Sequence, residues 1–428
     1  MTGKCVVVSF DERLGRIFAL ADALEANRAK IIDAAARDLY FAVKDTDREV
    51  SMAIDRLHML QEARGLLAER RPLGGPGSRV ALALSYNGSA WLNAAICSIY
   101  LVGNSVAVKF SSKAPGVMAL MESIYRPIFG DAVTFYKGSG ATFVEESLKS
   151  PEVAVVIVFG FDANILPYEQ AFREARKKLV FEGPGQDPFI VFADADLDLA
   201  LDDLMQSKFG YSGQTCTAPK RIFVQKPVYE GLLQAFAQRV RHLVTGDPED
   251  PRTDVSPVRS KVAIERIQMQ LDDARAKGAQ ILAGGKIEGN LIFPTIVKDA
   301  TDDMLGMQEE VFGPVAFTSS FTDAGEVLAR ARRQKYGLRA AVFGGEQAAE
   351  VARGLRGQPY CHPVADYTFG RFGTVSLNEP RSSSWRGALI VKPVGGYGYS
   401  GWIWETVDGH FQLKQGPKLL SLESSLCN

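Results

Sequence analysis

The segment YSGQTCTAPKR, residues 211–221, places one cysteine among small polar residues, with Gly213 before it and Pro219 after it. A free cysteine in a protein interior is most often a small buried hydrophobe. Here the glycine permits a tight turn, and backbone N–H groups next to Cys216 would favour its thiolate form. The segment therefore predicts a nucleophilic cysteine at position 216.

A second segment, LVFEGPGQDPFIVFAD, begins with the apolar pattern of a strand that ends at Glu182. Two glycines that flank a proline follow Glu182 directly. A carboxylate at the end of a buried strand costs free energy unless it is paired or protonated, so such a residue often has a chemical task. A solvated loop carboxylate is the alternative. A base at Glu182 and a nucleophile at Cys216 that meet between two lobes would suit covalent catalysis.

The elements that must position these residues follow two strand–helix series. Residues 16–43 and 50–70 have apolar residues at helical spacing, and the chain then alternates short apolar runs with helical segments. This alternation predicts an α/β fold of two lobes, with a parallel sheet covered on both faces in the first. We expect the first lobe over 1–182, the second over 183–395, and a C-terminal segment over 396–428 that returns to the first lobe or a subunit interface.

Composition excludes several classes of function. The chain has 428 residues, 46% of them hydrophobic, and a formal net charge of −1, so neither disorder nor binding to nucleic acid or an anionic membrane is indicated. Five scattered cysteines without a C-x-x-C pair argue against a disulfide framework or a zinc site. The N-terminal apolar run is too short for a signal peptide or a membrane span, and we expect a cytoplasmic protein with a small-molecule partner.

Seven motifs, in order along residues 80–418, resemble those of the aldehyde dehydrogenase superfamily. They are YNG (86–88), VAVKFSSKAP (106–115), FEGPGQDP (181–188), GQTCTAPKRIFV (213–224), EEVFGPV (309–315), GTVSLN (373–378) and VGGYGYSG (394–401). The resemblance implies that Cys216 attacks an aldehyde, that Asn87 and the backbone N–H of Cys216 stabilise the oxyanion, and that Glu182 activates the water that hydrolyses the thioester.

The resemblance also implies a dinucleotide cofactor, with a Rossmann-like cofactor-binding domain over 1–182 and a catalytic domain over 183–395. Lys109 would reach the adenosine ribose, Glu310 and Phe312 would hold the nicotinamide side, and Gly160 belongs to the turn VFGFDANI, where the family binds the pyrophosphate. Phe161 stands in that turn where the family has a serine, and a phenyl ring donates no hydrogen bond. The phosphates would then depend on backbone groups and the next helix N-terminus.

Cofactor preference depends on the position three residues after Lys109. An acidic residue there would accept the ribose 2′-hydroxyl and repel a 2′-phosphate, but this chain has Ser112, followed by Lys113. We therefore expect NADP to be accepted, and even preferred, with NAD as the other cofactor. Both residues would also suit a helix start, where serine is a common N-cap.

Several alternatives remain open. A coenzyme A-acylating enzyme or an acyl-phosphate reductase would use the same thioester, although the former commonly lacks a glutamate at the place of Glu182. Phe161 and the proline of EGPG make a catalytically silent binding homologue a third reading. The connection RPLGGPGS is shorter than the family's subunit-joining arm, so the expected homodimer has weak support. The Trp- and Tyr-rich stretch 379–404 favours an apolar or aromatic aldehyde, and packing in the core is an equal alternative for the same residues.

Overall fold

The computed structural model describes residues 8–67, 71–75, 77–356, 371–380, 395–416 and 418. The chain opens with helices that cover the first lobe: α1 (Phe10–Ala26), α2 (Arg28–Leu39), α3 (Val43–Met59) and the short α4 (Arg64–Leu67). The long helical pattern predicted over 16–43 is divided at Asn27, whose side-chain amide donates to the carbonyl of Ala23 and ends α1. Ser9 and Glu12 form a capping box that starts α1.

The first sheet contains the predicted parallel strands. Its elements are β1 (Arg79–Ala83), α5 (Asn93–Leu101), β2 (Ser105–Lys109), α6 (Pro115–Phe129), β3 (Val133–Phe135), α7 (Gly140–Lys149), β4 (Val153–Phe159), α8 (Asp162–Ile165), α9 (Glu169–Ala175) and β5 (Lys178–Glu182). The strand order β3–β2–β1–β4–β5 is that of a Rossmann sheet, with all these strands parallel. The apolar run of β4 is largely buried because helices cover both faces.

Four residues separate the end of β5 from the first strand of the second sheet. Its lobe contains β6 (Asp187–Val191), α10 (Leu197–Phe209), β7 (Pro219–Gln225), α11 (Lys226–Arg241), α12 (Lys261–Ala276), β8 (Gln280–Ala283), β9 (Ile287–Glu288), β10 (Leu291–Ile292), β11 (Thr295–Lys298), α13 (Leu305–Gln308), β12 (Val315–Phe321), α14 (Ala324–Arg332), β13 (Tyr336–Gly337), β14 (Arg339–Phe343), α15 (Glu346–Arg356) and β15 (Thr374–Leu377). The order is β15–β14–β6–β7–β12–β11–β8, with only β8 antiparallel. The prediction of two α/β lobes is confirmed.

The C-terminal part of the chain returns to the first sheet. After β16 (Tyr397–Gly398), strand β17 (Gly401–Val407) pairs antiparallel with β5, and β18 (His410–Gln415) pairs with β17. In this register Gly401 lies opposite Glu182. The last residues of the aromatic stretch, from Gly401 onward, therefore belong to a strand.

Four apolar clusters form the interior of the two lobes. Trp402 and Trp404 are two positions apart on β17, so both face the same side of the sheet, where they pack in one cluster with Phe172 and Phe181. Within the described part of the chain, no helix combines the length and the apolarity that crossing a membrane requires.

Candidate active site

The carboxyl ends of the parallel strands bring most of the predicted site residues to one edge of the first sheet. Asn87 follows β1, Lys109 ends β2, Gly160 follows β4 and Glu182 ends β5. Strand order reverses between β1 and β4, and this switch point is where α/β sheets of this topology bind dinucleotides. The site therefore has the geometry of a dinucleotide crevice.

The Asn87 turn is held by a carboxylate from α3. Glu49 is fully buried and accepts hydrogen bonds from the backbone N–H groups of Ser89 (2.7 Å), Ala90 (2.8 Å) and Trp91 (3.0 Å), and from the Ser89 hydroxyl (2.7 Å). The Ser85 hydroxyl donates to Asn87 Oδ1 at 2.5 Å. Because the amide oxygen is thus an acceptor, the amide nitrogen of Asn87 is the group of this side chain that can donate to an oxyanion.

The Cys216 loop is held by the same helix, one turn earlier. Asp45 accepts a hydrogen bond from the backbone N–H of Tyr211 at 2.7 Å, and burial raises the pKa of this carboxyl to about 6. Tyr211 and Ser212 both have left-handed backbone conformations, with φ of 53° and 54°. Such conformations persist in non-glycine residues when surrounding contacts impose them. Asp45 and the Ser256 hydroxyl, 3.0 Å from that of Ser212, are such contacts.

Gln214 joins the loops of Asn87 and Cys216. Its side chain is fully buried, and its Oε1 accepts from the Tyr86 hydroxyl at 3.1 Å and from the backbone N–H of Arg259 at 3.0 Å. Tyr86 immediately precedes Asn87, and Gln214 precedes Cys216 by two residues. One side chain therefore sets the spacing between the candidate oxyanion donor and the candidate nucleophile.

Cys216 lies in a turn before β7 and is partly exposed. Burial of its thiol raises the pKa to about 12, the ammonium of Lys220 lowers it, and the charges of Glu310 and Glu182 raise it. A thiolate is therefore not favoured in the resting state, because desolvation is the largest influence on the pKa of this thiol. Lys220 instead donates to the carbonyls of Thr215 and Cys216. Cys216 is a protonated thiol until a base removes its proton.

Glu182 is buried at the end of β5, with 7% of its surface exposed. Burial raises the pKa of its carboxyl, while Lys418, whose Nζ lies 3.1 Å from Glu182 Oε1, lowers it. A Cβ atom on Gly395 would lie 2.6 Å from Glu182 Oε2, so only glycine leaves room for the carboxylate there. The following residue, Gly183, donates its N–H to the carbonyl of Ser400 at 3.0 Å.

Backbone contacts join the three principal motifs within the second lobe, close to the point where the first lobe ends. A Cβ atom on Gly185 would lie 2.4 Å from the carbonyl oxygen of Cys216, and one on Gly213 would lie 2.2 Å from that of Gly313. The Gly185 N–H donates to Glu310 Oε1 at 3.1 Å. Gly185 of EGPG and Gly213 of GQTC are therefore needed because the backbones approach each other closely at these positions.

Glu310 is a buried carboxyl whose pKa is raised to about 7 by burial, against the opposing effect of Lys220. Lys220 Nζ lies 3.8 Å from Glu310 Oε1. A carboxyl oxygen can accept the hydrogen bonds that ribose hydroxyls donate. The residue therefore fits the role that the family resemblance implies.

The residues after β2 are arranged differently from what the sequence suggested. Lys109 is mostly buried and donates to the carbonyl of Phe110, and Ser112 is exposed. Lys113 extends away to the second lobe, where its Nζ donates to the Ser260 hydroxyl at 3.1 Å and lies 4.6 Å from the Tyr86 ring centroid. Ser112 is thus the accessible polar side chain after Lys109.

The first turn of α6 is already capped. Asp38 Oδ2 accepts from the backbone N–H groups of Gly116 at 2.6 Å and Val117 at 2.9 Å, so these donors are not left for an anion. The sequence did not indicate this carboxylate, which lies on α2 and comes to α6 by tertiary packing. A 2′-phosphate near Ser112 would therefore depend on side chains.

The turn after β4 presents an aromatic surface in place of a hydroxyl. A Cβ atom on Gly160 would meet no atom within 4 Å, so the space beside this backbone is open. The Phe161 ring lies 6.5 Å from that of Phe312, and the Arg266 guanidinium lies 5.3 Å from the Phe161 centroid. The following α8 has only four residues, so the helix N-terminus expected to replace the serine offers little.

The donor set fits a nicotinamide dinucleotide. The switch point is flanked by the open backbone at Gly160, the buried carboxyl of Glu310, the ring of Phe312 and the guanidinium of Arg266. Arg266 supplies the positive charge that the turn VFGFDANI lacks. Among the described residues, no group of three or more His, Cys, Asp and Glu side chains could hold a metal ion.

Part of the Trp- and Tyr-rich stretch 379–404, which was expected to contact the aldehyde tail, does not lie at the site. Trp402 and Trp404 are buried in the first lobe, where they pack against neighbouring rings, so they cannot line a binding surface. Residues 381–394 of the same stretch lie outside the described residues. Trp91 is a better candidate, because its indole nitrogen would lie 2.2 Å from a Cβ on Gly88, next to Asn87, and because the residue is partly exposed.

Sequence reasoning missed the residues that hold the site together. These are Asp45 and Glu49 on α3, Gln214 before the cysteine, and Lys418 near the C-terminus. A signal for the first two was available, since carboxylates four positions apart occupy the otherwise buried face of an amphipathic helix.

Comparison with known proteins agrees with this geometry. A model of the aldehyde dehydrogenase family matches residues 6–406. A probable succinate-semialdehyde dehydrogenase [NADP(+)] of Sinorhizobium fredii is 31% identical over 81% of this chain and 66% of its own length, and a betaine aldehyde dehydrogenase of the same organism is 31% identical over 70% and 59%. The crystal structure of an oxidoreductase from Marinobacter aquaeolei superposes with a TM-score of 0.82 at 25% identity, covering 96% of this chain and 86% of that one.

The chain belongs to the aldehyde dehydrogenase family. It nevertheless spans less than two thirds of the length of these two curated relatives.

Proposed function

We propose that the protein oxidises an aldehyde to a carboxylic acid with NADP or NAD, through a thioester on Cys216. One observation carries this proposal: the loops of Cys216 and Glu182 meet at Gly185, where a Cβ atom would lie 2.4 Å from the Cys216 carbonyl oxygen. In this proposal residues 1–182 bind the cofactor, 183–395 carry the nucleophile, and 396–428 return to the cofactor lobe. Several relatives are named as aldehyde dehydrogenases, which supports the reaction class.

The first half of the reaction forms a covalent adduct. A base removes the proton of the Cys216 thiol, and the sulfur attacks the aldehyde carbon while the carbonyl electrons move to oxygen. The amide of Asn87 and the backbone N–H of Cys216 donate to this oxyanion. A bound nicotinamide dinucleotide supplies a two-electron acceptor for the hydride, so that the carbonyl re-forms as a thioester.

The second half of the reaction is hydrolysis. Glu182 takes a proton from water as the water oxygen attacks the thioester carbon, and the carbon–sulfur bond then breaks. The products are a carboxylic acid and the Cys216 sulfur, which is ready for another cycle. A glutamate next to the thiol supports transfer to water, whereas transfer to coenzyme A or phosphate would not need this base.

We propose that NADP is accepted and NAD is the alternative. The absence of a carboxylate at Ser112 supports this proposal, because nothing at that position would repel a 2′-phosphate. The Lys113 side chain is turned toward Ser260, and Asp38 already caps α6. Most of this preference would therefore depend on Ser112 and Lys109. One relative of similar sequence is named for NADP.

The substrate that we propose is an aldehyde with an apolar or aromatic tail. Trp91 supports this class, since its partly exposed indole lies beside Asn87. Relatives are named for succinate semialdehyde and betaine aldehyde, so a charged tail is the competing class. Lys220 would not serve such a tail, because it already contacts Glu310 and two backbone carbonyls.

We also propose a homodimer. Strand β18 is the edge of the first sheet among the described residues, and an open edge is a common place for a second copy to pair. Light scattering during size-exclusion chromatography measures the mass in solution. A monomer at all concentrations would contradict this assembly.

The experiment for the reaction is a panel of aldehydes, aromatic, aliphatic, succinate semialdehyde and betaine aldehyde, assayed with both cofactors. Reduced cofactor and carboxylic acid should appear in equal amounts, coenzyme A should not raise the rate, and Cys216→Ala should remove turnover. An acyl-CoA product would instead assign the acylating branch, and no turnover with any aldehyde would favour a silent homologue.

Thiol alkylation provides an independent check of the nucleophile. Burial raises the pKa of both the Cys97 and the Cys216 thiols, and the two residues differ in access to solvent, since Cys216 is partly exposed. Cys97 is fully buried and lies 3.8 Å from the Tyr125 hydroxyl. Peptide mapping should find Cys216 alkylated much faster. Equal rates would contradict an accessible nucleophile.

A further inference from the structure

The candidate base has a charged partner that comes from the far end of the chain. Lys418 Nζ lies 3.1 Å from Glu182 Oε1, and both side chains are more than nine-tenths buried. Among the described residues, this ion pair is the polar contact of Oε1, which accepts no further hydrogen bond. The sequence motifs give no sign of the pair, because Lys418 lies beyond the last of them.

The position of Lys418 is set by contacts other than the ion pair. Its Nζ donates to the carbonyl of Phe181 at 2.9 Å, and a Cβ atom on Gly401 would lie 3.2 Å from Nζ. Gly401 is the residue of β17 that pairs with Glu182. The ammonium therefore lies where β5 and β17 meet, and the small glycine is what admits it.

We propose that Lys418 is a positioning residue that holds the Glu182 carboxylate in place and ionised for the hydrolysis step. This inference rests on the proposed function of Glu182 as the base. In this role Lys418 acts only through its contact with Glu182. The C-terminal segment is thereby part of the catalytic apparatus of the same chain, in addition to completing the first sheet.

The physical reason is the cost of a buried charge. Burial favours the neutral acid and raises the pKa of Glu182, while the Lys418 ammonium opposes this. The groups that act on the carboxylate from the elements packed around it are Lys418 and the Cys216 thiol, and the glycines at 395 and 401 present backbone alone. Without Lys418, a larger fraction of Glu182 would be protonated at neutral pH, and a protonated carboxyl cannot take a proton from water.

The test compares Lys418→Met and Lys418→Arg in the full-length protein with Lys414→Met as the matched control. Lys414 is on β18 and forms an ion pair with Glu405, so its loss removes a lysine from the same segment away from the site. Rapid mixing with cofactor and aldehyde measures the burst of reduced cofactor, which reports thioester formation, and the later steady rate, which reports hydrolysis.

For Lys418→Met we expect a burst close to one equivalent of enzyme and a steady rate about ten- to a hundredfold lower at pH 7, since a general base contributes roughly 10²–10⁴-fold. Raising the pH should restore the steady rate, because the carboxyl then ionises without its partner. Lys418→Arg should recover most of the rate at pH 7, and Lys414→Met should match the wild type throughout.

Three results would overturn the proposal. A Lys418→Met protein with unchanged steady rate and pH profile would show that Glu182 does not depend on the lysine. A fall in burst amplitude together with the steady rate, at every pH, would assign Lys418 a structural role only. If the Lys418→Arg protein folded but did not recover the steady rate, a simple effect of charge on Glu182 would be excluded. Failure of the proposed function is distinguishable, because the wild type would then form no reduced cofactor.

Discussion

Glu49 offers a test of how α3 controls the oxyanion donor. Replacement by alanine would remove the acceptor of three backbone N–H groups, two of which, those of Ser89 and Ala90, belong to fully buried residues. Each buried donor left without a partner costs about 1–3 kcal/mol. We therefore expect Glu49→Ala to lower the free energy of unfolding by about 2–6 kcal/mol, less the relief from removing a buried charge.

Glutamine separates the charge from the geometry. In Glu49→Gln the amide oxygen can keep the three N–H donors, and the new NH₂ group can donate to the Ser89 hydroxyl, which rotates to accept. The loss is then the difference between charged and neutral hydrogen bonds, about 1 kcal/mol each, and relief of burial offsets part of it. We expect Glu49→Gln to be within about 2 kcal/mol of the wild type.

The effect on activity follows from the position of Asn87 two residues before Ser89. Loss of an oxyanion donor costs roughly 10²–10³ in kcat, and a displaced donor should cost less, so we expect about a 10- to 100-fold fall for Glu49→Ala and under about threefold for Glu49→Gln. The KM for the dinucleotide should change little, because Glu49 faces the Asn87 turn.

The assay is urea unfolding together with steady-state kinetics for each variant. Asp55→Ala, an exposed carboxylate on the same helix, is the matched control and should stay within about 0.5 kcal/mol of the wild type. A Glu49→Ala protein that keeps both its stability and its kcat would refute the argument that this carboxylate holds the turn.

Three further predictions concern the base, the cofactor and pH. Glu182→Gln should give a burst of about one equivalent of reduced cofactor followed by a slow steady state, because the thioester forms but is not hydrolysed; a wild-type steady rate would remove Glu182 from the mechanism. Ser112→Glu should shift the ratio of kcat/KM values toward NAD, and a wild type inert with NADP would contradict the reasoning. Burial raises the pKa of Asp45 from 3.8 to about 6, so folding favours the neutral carboxyl. This preference contributes about 3 kcal/mol to the free energy of unfolding below pH 4, and the contribution is lost as the pH rises through 6. Asp45→Asn should therefore flatten the dependence of urea midpoints on pH between 4 and 7, and an unchanged slope would show that another group causes it.

The reactive residues were predictable because each occurs in a short contiguous segment whose residue types indicate its chemistry. Cys216 and Glu182 each stand beside the glycines that their loops require, and these strings are contiguous in the chain. The alternation of apolar runs and helical segments indicated two α/β lobes, because strand and helix periods are also local properties. The motif order then indicated the family that the comparison confirmed.

The state of those residues was not predictable. The sequence suggested a favoured thiolate, but desolvation in the folded protein raises the pKa of Cys216, and burial depends on atoms from the whole chain. The Trp402 and Trp404 side chains looked equally suited to a substrate wall and to a core. Only the pairing of β17 with β5 decided that they face inward.

The partners of the site residues were determined by tertiary structure alone. Glu49 lies 40 residues from Ser89, Asp45 lies 166 from Tyr211, and Lys418 lies 237 from the Phe181 carbonyl that it contacts. No local pattern links positions so far apart, because hydrogen bonds and ion pairs require only that two groups meet in space. The sequence by itself thus determined which groups could react, and the packing of α3 and β17 decided how these groups are oriented and charged.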